Sequence, residues 1–227
     1  MLDFILLNFH WSQLLQPQFY IEHGGLWLLL FVIFAETGLF VGFFLPGDSL
    51  LFVAGIYNSE LILNYFPFIK NELMQLMILW VLITLAGIAG NAIGYWFGRK
   101  VGPAMYGWKE NILFKKKYLE QAHDFYEKHG GGAIVFARFI PIIRTFAPII
   151  AGIVAMDKKK FTFYNIIGCI AWVFSMLFAG HFLQKWILQQ FNFDLKHHLE
   201  IIVLGIVLIT TAPVIIKLMN SKKKPKL

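Results

Sequence analysis

Long apolar runs separated by short polar segments dominate the chain. A run of about 18 or more apolar residues is long enough to cross a bilayer as a helix. Five such runs follow one another along the chain, at residues 26–57, 73–97, 130–156, 161–183 and 201–219. The pattern predicts an all-α integral membrane protein.

The first run is too long for one upright span, and polar residues interrupt it. It contains Glu36 and a Pro46-Gly47-Asp48 segment, where a helix cannot continue without a break. We interpret residues 26–57 as a re-entrant hairpin, which enters the membrane and returns to the same side. Pro46 and Gly47 would form its tip.

The distribution of basic residues along the chain tests whether the third run crosses the membrane or is re-entrant. This run carries Arg138 and Arg144 around Pro141. If the first and third runs are both re-entrant, 15 of the 20 Lys and Arg residues lie on one side and three on the other. The two arginines of the third run are then left within the membrane. Five single crossings would place nine basic residues on each side. Because cytoplasmic loops are enriched in Lys and Arg, the first arrangement is favoured, with a cytoplasmic C-terminus.

This topology predicts one membrane core, residues 26–185, with a segment on each side. The core consists of a hairpin at 26–57, a span at 73–98, a surface helix at 115–129, a hairpin at 130–156 and a span at 161–183. The flanking segments are an interfacial N-terminal helix at 1–25, a linker and final transmembrane helix at 186–219, and a basic cytoplasmic tail at 220–227.

The two predicted hairpins enter from opposite faces, which is the arrangement of an inverted-topology repeat. The hairpin segments FLPGDSLLFVAG (44–55) and FIPIIRTFAPIIAG (139–152) share an F-x-P start and an Ala-Gly end. Pro141 and Gly152 are therefore predicted to shape the second hairpin. We expect the two hairpin tips to meet near the middle of the membrane and to enclose a polar cavity.

Four ionisable residues lie within the two hairpins: Glu36, Asp48, Arg138 and Arg144. One charge in mid-bilayer costs about 2.5–3.5 kcal/mol, so we expect them to face each other, water or a charged substrate. Arginine keeps its proton, and its planar fork matches a phosphate or a carboxylate. The two arginines are predicted to bind an anionic head group, and the two carboxylates to exchange protons.

Two structural interpretations stay open beside this one. The four residues could form two buried ion pairs that hold the hairpins together, although such pairs stabilise poorly beside apolar packing. Asp48 could also cap a half-helix that begins after the Pro-Gly turn.

The remaining features point to packing and not to further chemistry. Gly90, Gly94 and Gly98 recur every fourth residue and predict a smooth helix face for close contact. The net charge of +7 resides in short segments that flank apolar runs, so nucleic acid is not the expected partner. With a single cysteine, Cys169, and no metal-ligand motif, we expect no metal and no cofactor beyond protons as coupling ions.

Several motifs resemble those of the DedA family over roughly residues 26–185. They are ETGLF (36–40), LPGDSLL (45–51), GYWFGR (94–99), HG (129–130), ARFIPIIRTFAP (137–148) and AG (151–152). The resemblance implies a bacterial inner-membrane protein that shares its core with eukaryotic lipid scramblases. Glu36 and Asp48 match the family's membrane carboxylates, although some members carry Glu in place of Asp48. Arg138 and Arg144 match its essential arginines.

The resemblance further implies a role in membrane homeostasis that depends on the proton motive force. Several members of the family move undecaprenyl phosphate or phospholipids between leaflets. Our hypothesis is a proton-coupled flippase or scramblase for a lipid phosphate, and not an enzyme. A lipid pyrophosphate phosphatase, a proton-coupled carrier of small ions or solutes, and a purely structural role are the alternatives. A homo-oligomer is compatible with the sequence, which does not specify the lipid.

Overall fold

A computed structural model describes most of the predicted membrane core. The described residues are 17–39, 47–107, 124, 126, 128, 131–192, 195 and 205. Their secondary structure consists of helices joined by short turns, and no strand occurs within these ranges. The all-α prediction is confirmed there. Pro46 and residues 1–16 lie outside the described residues, as do nearly all of the predicted surface helix, final transmembrane helix and tail.

The described ranges contain seven helices with named bounds. They are α1 (Pro17–Gly38), α2 (Gly47–Ile56), α3 (Asn58–Leu63), α4 (Glu72–Gly107), α5 (Gly132–Ala137), α6 (Pro141–Ile153) and α7 (Lys158–Phe191). In α4 the segment Glu72–Ala104, and in α7 the whole helix, are long and apolar enough to cross a membrane.

Three further apolar helical segments are shorter than a bilayer is thick. These are Gly25–Gly38, Gly47–Ile56 and Ile143–Ile153. At about 1.5 Å per residue none of them reaches the roughly 30 Å of a hydrocarbon core.

Both long helices run beyond the apolar segments that predicted them. Helix α4 continues past residue 98 to Gly107, and α7 passes residue 183 and ends at Phe191. In α7 the bounds follow local capping, because a helix ends where its backbone is capped and not where its hydrophobicity falls. Asp157 caps the start of α7 by accepting a hydrogen bond from the Lys160 amide at 2.9 Å. Asn192 ends it in the left-handed conformation (φ 49°).

A glycine breaks α1 close to where the sequence predicts the start of the membrane core. Gly25 has φ 54° and ψ −145°, values that interrupt the helix and that residues with a side chain rarely adopt. The apolar part of α1 therefore begins at Gly25 and ends at Gly38.

Each second helix of a predicted hairpin packs on the long helix of the other half of the chain. Helix α2 packs along α7, and α6 packs along α4. The first helix of each predicted hairpin packs on the long helix of its own half of the chain. Helix α1 packs on α4, and α5 packs on α7. Helices α4 and α7 also contact each other. The main apolar core forms between α1, α2, α4 and α7, and its fully buried side chains include Leu29, Ile33, Leu50, Leu79 and Trp172.

Glycines lie where these helices come closest. A Cβ added at Gly55 of α2 would overlap the Leu177 carbonyl oxygen of α7, and one at Gly98 of α4 would overlap the Ile149 carbonyl oxygen of α6. Backbones approach this closely in membrane helix pairs where small residues remove the side chain. These contacts place α2 and α6 directly against the two long helices.

We predict that Gly98→Ala destabilises the protein. The added methyl group would force α4 and α6 apart, and such overpacking typically costs about 1–3 kcal/mol. Gly132→Ala is the matched control, because a Cβ there meets nothing within 4 Å. The apparent melting temperature of the purified protein in detergent measures both variants. An equal melting temperature for Gly98→Ala and wild type would contradict the close packing of α4 on α6.

Candidate functional site

A buried arginine joins three helices at the centre of the described structure. Arg144, in the first turn of α6, donates from Nη1 to Asp48 Oδ1 and from Nη2 to Glu36 Oε1. Glu36 lies near the end of α1 and Asp48 in the first turn of α2. All three residues are at least 91% buried. We call Glu36, Asp48 and Arg144 the ion triad.

The local sequence explains how two carboxylates reach one guanidinium. Helix α2 begins at Gly47, where a Cβ would overlap the Glu36 carboxyl group, so a glycine lets α1 and α2 meet at this point. Pro141 opens α6 in the first helical position, a position that tolerates proline because its missing N–H has no partner there. Arg144 then follows three residues later and faces both carboxylates.

A tryptophan on α7 completes the surroundings of the ion triad. Trp172 Nε1 donates to Asp48 Oδ1 at 2.8 Å, and the Trp172 ring centroid lies 4.7 Å from Arg144 Cζ. The indole N–H at the ring edge therefore donates a hydrogen bond to the carboxylate, and the ring face makes a cation–π contact with the guanidinium. Its position in a predicted span gave no sign of this role, since tryptophans in such spans commonly contact lipid.

Arg138 lies in separate surroundings, just after the end of α5. Its side chain is buried, and Nη2 donates to Asn165 Oδ1 of α7. Asn165 Nδ2 donates in turn to the Ile88 carbonyl oxygen of α4 at 3.3 Å. A Cβ at Gly168 would lie 2.7 Å from Arg138 Nε, so a glycine makes the room for this guanidinium.

Among the described residues, Arg138 forms no ion pair. Within the described ranges, the buried Nε atoms of Arg138 and Arg144 both lack a hydrogen-bond partner. An isolated buried cation is costly, whereas a guanidinium with unused donors is suited to an anion. The four predicted charges are therefore divided unequally, with three in the ion triad and Arg138 apart.

The formal charges of the four predicted residues balance. With both carboxylates ionised the ion triad carries one negative charge, and Arg138 carries one positive charge because arginine stays protonated in proteins. The central site therefore holds two carboxylates and two guanidinium groups.

A tyrosine that precedes α5 in the sequence contacts α6 through its hydroxyl group. The Tyr126 hydroxyl donates to the Ala147 carbonyl oxygen at 3.1 Å. Burial raises the pKa of Tyr126 above its usual value, so the hydroxyl stays protonated as this donor requires.

The predicted glycines lie along the helix contacts. A Cβ at Gly90 would overlap the Thr37 hydroxyl of α1, and one at Gly94 would be 3.4 Å from the Gly38 carbonyl oxygen. A Cβ at Gly152 of α6 would overlap the Tyr95 carbonyl oxygen of α4. Within the part of the chain that is described, no group of three or more His, Cys, Asp and Glu residues could hold a metal ion.

Sequence reasoning missed Asn165 and Trp172, and it gave no partner for Cys169. Asn165 binds Arg138, and the Cys169 thiol lies 3.6 Å from Asn91 Nδ2 of α4. The signal for Asn165 was present, because an amide within an apolar span must find a partner. The sequence held no comparable signal for Cys169 or Trp172.

Residues 45–182 match the VTT domain, a region that contains three of the four charges and both long helices up to residue 182. The chain belongs to the DedA family. The resemblance seen in the sequence motifs is thereby confirmed, and with it a membrane protein with transmembrane helices.

Relatives in this family match over most of their length. The chain is 36% identical to the Escherichia coli K12 protein named DedA over 227 residues, which covers 98% of this chain and 94% of that protein. It is 34% identical over 188 residues to an uncharacterised membrane protein of Mycobacterium tuberculosis, covering 83% and 76%. It is 33% identical over 165 residues to the E. coli inner membrane protein YqjA, covering 71% and 69%. No solved structure matches significantly.

We predict that Arg144→Met destabilises the protein and that neutralising its partners restores stability. Loss of the arginine leaves two buried carboxylates without their cation, and breaking a buried pair in this way typically costs about 3–5 kcal/mol. In the triple variant Arg144→Met, Glu36→Gln, Asp48→Asn no charge remains, so most of that loss should disappear. Melting temperatures in detergent measure both variants. A triple variant no more stable than Arg144→Met would contradict the ion triad.

Proposed function

We propose that the protein moves a lipid phosphate between the leaflets of a bacterial inner membrane, coupled to protons. The observation that carries the proposal is Arg138, a buried cation with no carboxylate partner among the described residues and an unused Nε. A buried guanidinium of this kind favours an anionic ligand with a planar or tetrahedral set of oxygens, such as a phosphate.

Each second hairpin helix packs on the long helix of the other half of the chain, and this packing supports an inverted repeat with two re-entrant hairpins. Gly55 and Gly152 end the two related segments, FLPGDSLLFVAG and FIPIIRTFAPIIAG. A Cβ at Gly55 would overlap a carbonyl oxygen of α7, and a Cβ at Gly152 would overlap one of α4. The two positions thus make the same kind of contact with opposite long helices. The short lengths of α2 and α6 fit hairpins that do not cross the bilayer.

The ion triad provides a mechanism for coupling to protons. Arg138 binds the lipid phosphate. Protonation of Glu36 or Asp48 weakens that residue's ion pair with Arg144, which becomes available to join Arg138 on the phosphate. Release of the proton restores the triad and returns the phosphate to Arg138 alone. A lower pH on the loading side should therefore favour uptake.

The lipid tail needs an apolar path beside the charged centre. Helices α4 and α7 expose large apolar side chains along their lengths, including Val81, Leu85, Ile166 and Ile170. We propose that the tail stays in the bilayer along this surface while the phosphate passes through the protein. Undecaprenyl phosphate and phospholipids both have this form.

We predict that Arg138→Ala slows lipid movement at least about tenfold, because one charged hydrogen bond contributes about 1.5–3 kcal/mol. The assay uses liposomes with either labelled undecaprenyl phosphate or a labelled phospholipid. Arg138→Lys keeps the charge without the fork and should retain partial activity. Lys70→Ala, which removes an exposed charge in a loop, is the control. Movement by Arg138→Ala at the wild-type rate would show that Arg138 does not bind the substrate.

We predict that the double variant Glu36→Gln, Asp48→Asn abolishes the response to a pH gradient. Each amide resembles the protonated carboxyl group in size but cannot release a proton, so the triad stays in one charge state. Lipid movement in the same liposomes is measured with and without a gradient. Wild type should respond to the gradient and the double variant should not. An undiminished response in the double variant would rule out coupling through the triad.

The two alternative functions give different results in the same preparation. A lipid pyrophosphate phosphatase would release inorganic phosphate from undecaprenyl pyrophosphate. A small-ion carrier would dissipate an ion gradient in liposomes that lack the lipid substrate. Phosphate release or ion flux in the absence of lipid movement would favour the corresponding alternative over lipid transport.

A further inference from the structure

A second basic site lies between the long helices, apart from the ion triad and Arg138. A groove of about 540 Å³ opens between α4 and α7, next to the turn that precedes α7. Trp96, Arg99 and Lys100 of α4 line it, together with Lys158 and Phe161 of α7. The lining includes neither carboxylates nor any of the four charges of the central site.

The three cations of the groove have no acidic partner within the described ranges. Arg99, Lys100 and Lys158 form no ion pair there. The Lys100 ammonium lies 4.0 Å from the Trp96 ring centroid, a contact that holds the cation beside an exposed aromatic face. Three cations converge on one groove without a carboxylate, so an anion is the complementary ligand.

Hydrogen bonds and stacking fix the shape of the groove. Arg99 Nη1 donates to the Tyr95 hydroxyl at 2.9 Å and to the Met156 carbonyl oxygen at 3.1 Å. The Tyr95 hydroxyl donates to the same carbonyl oxygen at 2.5 Å. The Tyr95 ring stacks on Phe161 with centroids 4.3 Å apart. These contacts join α4, α7 and the turn between α6 and α7 before any ligand binds.

The apolar part of the groove indicates the kind of anion. Trp96 is 55% exposed and Ile93 is 40% exposed, and both lie on α4 next to the cations. The cations lie near the ends of the two spans, where Lys and Arg attract anionic lipids. A soluble phosphate would use the cations but not the apolar wall, whereas a lipid would use both.

We propose that this groove binds the phosphate head group of an anionic membrane lipid, with the acyl chains lying along the exposed face of α4. Lys100 and Lys158 bind the phosphate from the two helices, and Arg99 adds its remaining donors. The bound lipid bridges α4 and α7 at the lysine-rich end. The proposal does not depend on transport by the central site, and its test measures binding alone.

The test is native mass spectrometry of the full chain in detergent, titrated with phosphatidylglycerol. Phosphatidylcholine with the same acyl chains is the comparison lipid. The double variant Lys100→Gln, Lys158→Gln should bind phosphatidylglycerol about tenfold more weakly, since each interfacial Lys contributes to anionic lipid binding. The variant Lys159→Gln, Lys160→Gln removes the same charge from neighbouring exposed positions outside the groove, and should bind like wild type.

Two further measurements exclude misfolding of the variant and identify the ligand. Lys100→Arg, Lys158→Arg keeps both charges and should keep binding, so the loss in the glutamine variant reports the missing charge and not a disturbed fold. Glycerol 3-phosphate at millimolar concentration should not displace the lipid. Equal losses in the two glutamine variants, equal binding of phosphatidylcholine, or displacement by glycerol 3-phosphate would each overturn the proposal.

Discussion

A buried arginine shared by two carboxylates is the constraint on which the rest of the structure depends. Arg144 reaches Glu36 and Asp48 only if α1, α2 and α6 converge at their ends. All three side chains are buried, so separating the helices would leave three buried charges unpaired. Trp172 extends the same constraint to α7 through its bond to Asp48. This group of polar contacts thereby sets the relative positions of four helices.

Glycine contacts are the apolar counterpart of this constraint. Helices in lipid gain little from the hydrophobic effect, so close backbone packing has to contribute to their association. Gly55 and Gly152 bring the two short helices against the long helix of the opposite half. The polar centre lies where both short helices begin, and the glycine contacts lie near their ends. The short helices are thus held at both ends, while Arg138 is left outside the ion triad.

The two long helices and the four charges could be predicted from the sequence, but the partners of those charges could not. Apolar runs indicated α4 and α7, because a span must be both long and apolar. The cost of burying charge singled out Glu36, Asp48, Arg138 and Arg144. Their division into a triad and a separate arginine depends on how the helices cross, which local sequence does not encode. Trp172 was missed for the same reason, and the re-entrant path of the hairpins stays a prediction.

The most direct test of the ion triad is solid-state NMR of the protein in lipid bilayers. Its sequence has three arginines, so ¹⁵N-labelled guanidinium signals are few enough to distinguish. Dipolar recoupling to ¹³C-labelled carboxyl groups of Asp and Glu reports which guanidinium lies next to a carboxylate. The triad predicts strong dephasing of one arginine signal, and loss of that signal in Arg144→Lys. Absence of dephasing, or dephasing that persists in Arg144→Lys, would contradict the triad.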